Sequence, residues 1–411
     1  MSAALLLVIL VVVAYLAAHV AFDWLAKRFL IVSGVEYLVL GILLGPQVSG
    51  VLSAETLTSF SPITTLALGW IGAIVGMQFY LRDLVLIDGQ QYRIAFFEAL
   101  MTLVVVMGVE MVALALLFDI PYVQSAVPGF ALGAIAATST PAGIEVVARR
   151  LSRRGPIVRQ LEITTAIDAL VAVIAVGLLM CFHNPTGQMA ARPLTTTEWV
   201  AITLGIGIIG GALFHLFLGA ERHIDRIFIS LTGAIILTSG AASYLGLSPL
   251  LPAMIVGIML VNTSSNRQEI QSALTNAERP FYFVLLIVAG ASWRPGLVVS
   301  FIPVVLFLVA RAMGKVGGAR LGARVNEALP ILGPDWGRAL LGHGGLALAL
   351  ALDYIQHDRL VFPNIVFTAA IVSVLLTDLS SARLVQSVIN PFLPSNMPAR
   401  TTAVSGTTPP E

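Results

Sequence analysis

The chain has 411 residues, 57% of them hydrophobic and only 11% charged, with a mean hydropathy of +0.92. Too little polar surface remains to cover a water-soluble globule, so the sequence reads as an integral membrane protein in contact with lipid. A net charge of +1 without a basic tract argues against nucleic acid as a partner, and the single cysteine, Cys181, excludes an internal disulfide. No Cys or His cluster has metal-ligand spacing and no nucleophile constellation points to an enzyme, so neither catalysis nor a resident cofactor is expected.

About 20 apolar residues are needed per crossing. That length predicts thirteen transmembrane helices, near 3–21, 29–45, 59–79, 94–117, 126–149, 159–182, 198–219, 227–244, 247–262, 280–293, 298–319, 337–354 and 362–381. The first run lacks a basic flank and is too long for a signal-peptide core, so it reads as a retained helix. With the N-terminus outside, the inner loops and tail collect Lys27, Arg28, Arg82, Arg93, Arg149, Arg150, Arg153, Arg154, Arg159, Arg222, Arg226, Arg267, Arg279, Arg320, Arg324, Arg338, Arg383 and Arg400. The outer loops hold only Arg192, Arg294 and Arg359. Because Lys and Arg accumulate on the cytoplasmic side, this asymmetry predicts an odd number of spans, N-out and C-in, in a bacterial plasma (inner) membrane. Residues 391–411, rich in Thr, Pro and Ser, read as a short disordered cytoplasmic tail.

The second span contains Val39-Leu-Gly-Ile-Leu-Leu-Gly45 and the ninth Ile255-Val-Gly-Ile-Met-Leu-Val261. An even-numbered and an odd-numbered span cross in opposite directions, so the match points to inverted repeats, common in secondary transporters. In the fifth span, Thr138, Ser139 and Thr140 precede Pro141 and Gly143 inside an apolar crossing. Proline cannot donate a backbone hydrogen bond and disfavours a helical residue before it, so the helix is expected to open near Thr140. A simple proline kink is the alternative. In the twelfth span, Gly342-His343-Gly344-Gly345 is a second candidate break.

The sixth span, LEITTAIDALVAVIAVGLL from Leu161 to Leu179, carries Asp168 near its middle. An acid at membrane depth normally faces a partner, a water-filled cavity or a transported ion. Desolvation favours the neutral form of a carboxylic acid, so a proton and a small cation can compete for the same oxygens, and that competition couples their fluxes. The alternative is an aspartate held in a permanent ion pair. Hard cations want several oxygens. Thr164 lies one turn before Asp168 on the same face, unless its hydroxyl bonds back to the preceding turn, and Thr165 points about a third of a turn away. Arg311 and Lys315 in span eleven are the counter-charges at matching depth, and either can reach Asp168; snorkelling to the interface is the competing reading for Lys315. Glu36, Glu98, Glu110, Glu145 and Glu162 are further acids within or at the ends of spans, for which local ion pairing is the simpler reading. With no second acid beside Asp168 in sequence, electroneutral one-for-one exchange is the expectation.

Gly41-Ile-Leu-Leu-Gly-Pro46, the run from Leu66 to Asp83 ending in Gly76-Met-Gln-Phe-Tyr-Leu-Arg-Asp83, the break at Pro141, the Asp168 helix, Arg311-Ala-Met-Gly-Lys315 and the Gly342 to Ala351 stretch follow the order of the monovalent cation:proton antiporter superfamily, which the chain resembles to about Ile389. The resemblance implies an all-α membrane domain over 1–390, with inverted repeats and two crossing discontinuous helices. It further implies a core ion-transport bundle near 59–182 and 280–389, dimerisation and scaffold helices near 1–58 and 227–262, and a linker helix near 198–219. A homodimer would exchange sodium, lithium or potassium for protons by an elevator-like movement. Asp168 would be the shared proton and cation site, with Thr164, Thr138, Ser139 and Thr140 as neutral donors, Lys315 or Arg311 as counter-charge, and breaks at Pro141, Gly143, His343, Gly344 and Gly345. The chain departs from the family where Ile167 replaces the usual Asp, Asn or Gln before the aspartate, where Gln78 stands in place of a common Glu, and where His343-Gly344-Gly345 replaces Arg-Gly-Glu or Arg-Gly-Ala. A sodium-coupled organic-anion symporter of related fold and a non-transporting membrane subunit are the competing functions.

Overall fold

The computed structural model describes residues 34–148, 155–183, 194–218, 224–264, 267–296, 298–357 and 360–389. Within them the principal helices are α1 (Val35–Leu44), α2 (Ser61–Met77), α3 (Gly89–Phe118), α4 (Tyr122–Ala137), α5 (Ala142–Ala148), α6 (Pro156–His183), α7 (Thr196–Leu218), α8 (Ile224–Tyr244), α9 (Leu250–Thr263), α10 (Arg267–Ser292), α11 (Phe301–Val325), α12 (Gly345–Ile355) and α13 (Pro363–Ile389). No strand occurs among the described residues. Every expected crossing from the second to the thirteenth coincides with helix; the first, at 3–21, and the tail lie outside the described residues. So do Lys27, Arg28, Arg149, Arg150, Arg153, Arg154, Arg192, Arg222, Arg359 and Arg400.

Around a largely apolar interior, two helices turn apolar side chains outward and bury charged ones. On α3, Phe96, Leu100 and Val104 recur every four residues on the exposed face, while Glu98, Thr102 and Glu110 are buried on another. On α11, Val305, Val309 and Met313 are exposed, while Arg311 and Lys315 are buried. Six of the described helical segments are long and apolar enough to cross a membrane, and α1, α2, α9 and α12 are shorter apolar helices. The bundle has two recognisable ends. At the Gly89 end, Asp83 pairs with Arg267 (3.3 Å), Arg267 lies over the Tyr80 ring, and Arg93 bonds Asn326 (3.2 Å). At the other end, the Phe118 and Phe362 rings meet at 4.7 Å, and His357 Nε2 approaches the Gly246 carbonyl at 3.2 Å.

The inverted repeats show in the packing. Helix α1, with the Gly41 motif, packs on α10; reciprocally, α9, with the matching Gly257 motif, packs on α2. Both crossings are closed by glycine: a Cβ on Gly41 would strike the Ile287 carbonyl, and one on Gly257 the Ala73 carbonyl. Backbones approach this closely in a membrane only where one partner lacks a side chain. Between repeats, α3 packs on α11, and the α4–α5 break crosses the segment entering α12.

Of the segments that the family resemblance groups with the core bundle, 59–79 forms α2, which packs mainly on α9, α10 and α8, and 280–293 lies in α10, which packs mainly on α1 and α2. Hydropathy marks a span without saying which neighbour its glycine face will take. Helices α3–α6 pack with α11–α13, and α7 lies against α8 and α9.

Candidate ion site

The site is built where the two breaks cross. Helix α4 ends at Ala137, Thr138 is extended (φ −68°, ψ 145°), and α5 begins at Ala142 after Pro141. On the other side, a short 3-10 turn over Trp336–Leu340 gives way to extended backbone at Gly344 before α12 starts at Gly345. Thr140 N–H donates to the Gly342 carbonyl at 3.0 Å, tying the breaks together. Glycine is required on the second strand: a Cβ at Gly342 would lie 2.7 Å from Thr140 Cγ2, and one at Gly344 2.8 Å from Thr140 Oγ1. Gly143 packs against Ser381 and Ala382 of α13, and a Cβ on Gly345 would strike the Tyr282 ring.

A helix ending inside a bilayer leaves carbonyls that water cannot satisfy. Here each has a donor. The Ile135 carbonyl accepts from Thr138 Oγ1 (2.8 Å) and faces His343 Nε2 (2.9 Å). Facing a carbonyl, Nε2 must carry a ring proton, while Nδ1 lies 2.8 Å from Ser373 Oγ; His343 is thus a bridge between α4 and α13. Arg311 Nε donates to Ala136 O (3.2 Å), Nη2 to Thr138 O (3.0 Å) and Gly342 O (3.4 Å), and Nη1 to Leu341 O (2.7 Å). Lys315 Nζ donates to Ala137 O at 2.6 Å. Two cations therefore sit at the negative end of the α4 dipole.

Lys315 also reaches the acids. Its Nζ lies 2.7 Å from Asp168 Oδ2 and 3.1 Å from Glu98 Oε1, and all three side chains are fully buried. Ser139 Oγ lies 2.6 Å from Asp168 Oδ2 and 3.1 Å from the Leu340 carbonyl. Asp168 Oδ2 thus accepts from both Lys315 and Ser139. Asp168 Oδ1, equally buried, has no hydrogen-bond partner among the described residues.

The other expected donors are turned elsewhere. Thr164 Oγ1 bonds back to the Gln160 carbonyl at 2.8 Å, the competing reading for a helical threonine. Thr138 Oγ1 is spent on Ile135, and Thr140 Oγ1 accepts from Ala142 N–H at 3.4 Å. Among these hydroxyls only Ser139 meets the aspartate.

Glu98 is the group that sequence reasoning left among the unassigned acids. It comes from α3, and Thr102 Oγ1 donates to its Oε1 at 3.0 Å. Its signal was a mid-helix acid with a threonine four residues on, but nothing in the local sequence connects it to Lys315, 217 positions away. Glu110, twelve residues along the same helix, is buried with neither oxygen partnered among the described residues, and Glu36 accepts from Gly34 N–H at 2.8 Å.

A cavity of about 320 Å³ leads toward this cluster between the core and the α2–α10 side. Its walls include Gln78, Glu278, Arg279 and Tyr282 on one side and Ser139, Pro141 and Thr165 on the other. Ser139 therefore both lines the cavity and lies one hydrogen bond from Asp168.

Inverted repeats, crossed broken helices, and acids and cations buried at the crossing define a polytopic, all-α membrane fold. The chain shares that fold with the sodium proton antiporter MjNhaP1 from Methanocaldococcus jannaschii. The structure of that protein at pH 8 aligns with a TM-score of 0.65 over 94% of this chain and 99% of its own, at 15% identity. A second structure of it, from electron microscopy, aligns with a TM-score of 0.64 over 95% and 97%, also at 15% identity. In sequence, the chain is 28% identical over 236 residues to the Ammonium/H(+) antiporter subunit AmhT of Alkalihalophilus pseudofirmus. That match covers 56% of this chain and 57% of the relative, so the chain spans little more than half of the curated relative it matches. No family model matches.

Proposed function

We propose that the chain exchanges a monovalent cation for protons across a membrane, with Asp168 as the shared site. One observation carries the reading: Asp168 has one oxygen held by Lys315 and Ser139 and one buried oxygen with no partner among the described residues, at the crossing of two broken helices. A proton or a small cation on Oδ1 would neutralise the same carboxylate, so each displaces the other. Sodium, lithium and potassium are the candidate cations, and ammonium joins them through the name of the relative. Thr164, Thr138 and Thr140 would have to rotate to become ligands, which leaves Ser139 and the carbonyls of the breaks as the nearer oxygens.

The cavity between α2–α10 and the core supports an elevator movement, with α3–α6 and α11–α13 carrying the site past α1, α2 and α8–α10 and with α7 as linker. The proposed assembly is a homodimer through segments 1–58 and 227–262. By the positive-inside rule, Arg82, Arg93, Arg159, Arg226, Arg267 and Arg324 support a cytoplasmic Gly89 end in a bacterial cell. An organic-anion symporter is disfavoured because an anion at the crossing would meet two carboxylates, while Arg311 is already engaged by four carbonyls.

The test uses proteoliposomes with an imposed pH gradient, to which sodium, lithium, potassium, ammonium or an organic anion is added in turn. Cation-dependent collapse of the gradient by the wild type, and none by Asp168→Asn, is the expected result. Undiminished exchange in Asp168→Asn would remove Asp168 from the role, and a response to the organic anion alone would overturn the exchange reading.

A further inference from the structure

The electroneutral expectation drawn from sequence assumed no second acid beside Asp168, yet Glu98 shares its lysine. We infer that Glu98 is a charge-setting residue: it holds Lys315 as a permanent ammonium, so that the Asp168–Glu98 pair keeps one exchangeable negative charge and trades one monovalent cation for one proton. This rests on the exchange reading above and assigns a residue that neither sequence nor fold likeness singles out.

Three observations carry it. Lys315 has three N–H donors and three kinds of acceptor around it: Asp168 Oδ2 at 2.7 Å, the Ala137 carbonyl at 2.6 Å, and Glu98, whose two oxygens lie 3.1 and 3.2 Å away. A neutral amine has only two N–H groups and would turn a lone pair on one of them. Second, Glu98 is brought there by construction. Gly314, Gly318 and Gly322 form a four-residue stripe on α11 facing Thr102, Glu98 and Ile94 of α3, and a Cβ on Gly314 would lie 2.9 Å from Thr102 Cα. Third, the surrounding charges are few. Arg311 on α11 gives its hydrogen bonds to backbone carbonyls of the two breaks and none to the acids. The break at α4–α5 brings hydroxyls and carbonyls, and the α12 break brings His343, held between the Ile135 carbonyl and Ser373.

Charge counting then fixes the exchange. One ammonium against two carboxylates leaves one negative charge, which a single proton or a single monovalent cation cancels. A second proton would leave the ammonium without an anion in a site shut off from water, at a large electrostatic cost. Without Glu98, Lys315 and Asp168 cancel each other, and an entering cation finds no spare charge. The proton it displaces must then come from the lysine.

The test measures cation binding in purified full-length protein. The readouts are sodium-, lithium-, potassium- or ammonium-induced thermal stabilisation, and proton release into weakly buffered detergent solution, for wild type, Glu98→Gln and Glu98→Asp. Wild type should release one proton per cation bound. Glu98→Gln should bind about tenfold or more weaker at neutral pH and recover as the medium is made alkaline. Glu98→Asp should restore part of the neutral-pH affinity. A purely packing role would weaken binding at all pH values without that recovery. Glu98→Gln with wild-type affinity and pH profile, or a loss that alkaline medium does not reverse while Glu98→Asp behaves like wild type in neither property, overturns the proposal and leaves the exchange reading standing. A wild type that responds to no cation at any pH removes both.

Discussion

Arg311 and Lys315 stand one turn apart on the buried face of α11 and answer different needs: every hydrogen bond of Arg311 goes to a backbone carbonyl of the two breaks, whereas Lys315 divides its donors between one carbonyl and the carboxylates of Asp168 and Glu98. The planar fork of a guanidinium suits the first task, since it can bond several fixed acceptors at once. A compact ammonium suits the second, because it reaches acceptors on three helices from one point.

From this division, Arg311→Met should be a folding defect. It strands the carbonyls of Ala136, Thr138 and Leu341, each costing about 1–3 kcal/mol when left unpaired. A loss of at least about 3 kcal/mol is expected, seen as a lower unfolding temperature by tryptophan fluorescence in detergent. Arg311→Lys should recover only part of it.

Removing the ammonium instead leaves two acids facing each other. Lys315→Met should destabilise by about 3–5 kcal/mol, the usual cost of breaking a buried ion pair from one side. Adding Glu98→Gln to that variant should return part of the loss, so the two substitutions will not be additive. Additivity within about 0.5 kcal/mol in a thermal or denaturant series would show that the pair does not interact.

The hydroxyls near Asp168 separate by one comparison. Ser139→Ala removes a bond to a carboxylate, worth about 1.5–3 kcal/mol, and should weaken cation-dependent exchange by roughly tenfold or more. Thr164→Val removes a hydroxyl already bonded to its own helix and should leave the rate within about twofold. Equal losses in vesicle flux would mean that Thr164 rotates into the site during the cycle.

Cavity access can be read by thiol labelling. Cys181 is buried, so the native thiol provides a low background. Thr165→Cys, on the cavity wall, should react with a membrane-impermeant maleimide added from the cytoplasmic side, and Ala172→Cys, fully buried seven residues further along α6, should not. Labelling of Thr165→Cys only from the outer side would reverse the proposed orientation.

The crossings, both breaks and the mid-membrane aspartate were legible because each is a local signal: an apolar run, a proline after three hydroxyls, a cluster of glycines, an acid where acids are costly. Lys315 was legible as a candidate because depth along a helix follows from residue count. Which of Arg311 and Lys315 meets Asp168 was not, since it depends on how α11 is rotated against α4 and α6. Glu98 was hidden for the same reason, its approach to Lys315 being set by the Gly314, Gly318 and Gly322 stripe on a distant helix. The grouping of α2 and α10 was likewise decided by Gly41, Gly76, Gly257 and Gly290, which admit a neighbouring backbone rather than advertise one.

The Arg311 bonds have a mechanical consequence. One guanidinium joins carbonyls on both breaks, and Thr140 and Gly342 add a backbone link at the same point. Pulling the two strands apart would expose several acceptors with no water to replace their donors. The crossing behaves as a rivet, and the proposed elevator movement would carry the two half-helices, the aspartate and the lysine as one rigid piece. It would then slip at the cavity seam beside Tyr282 and Gln78.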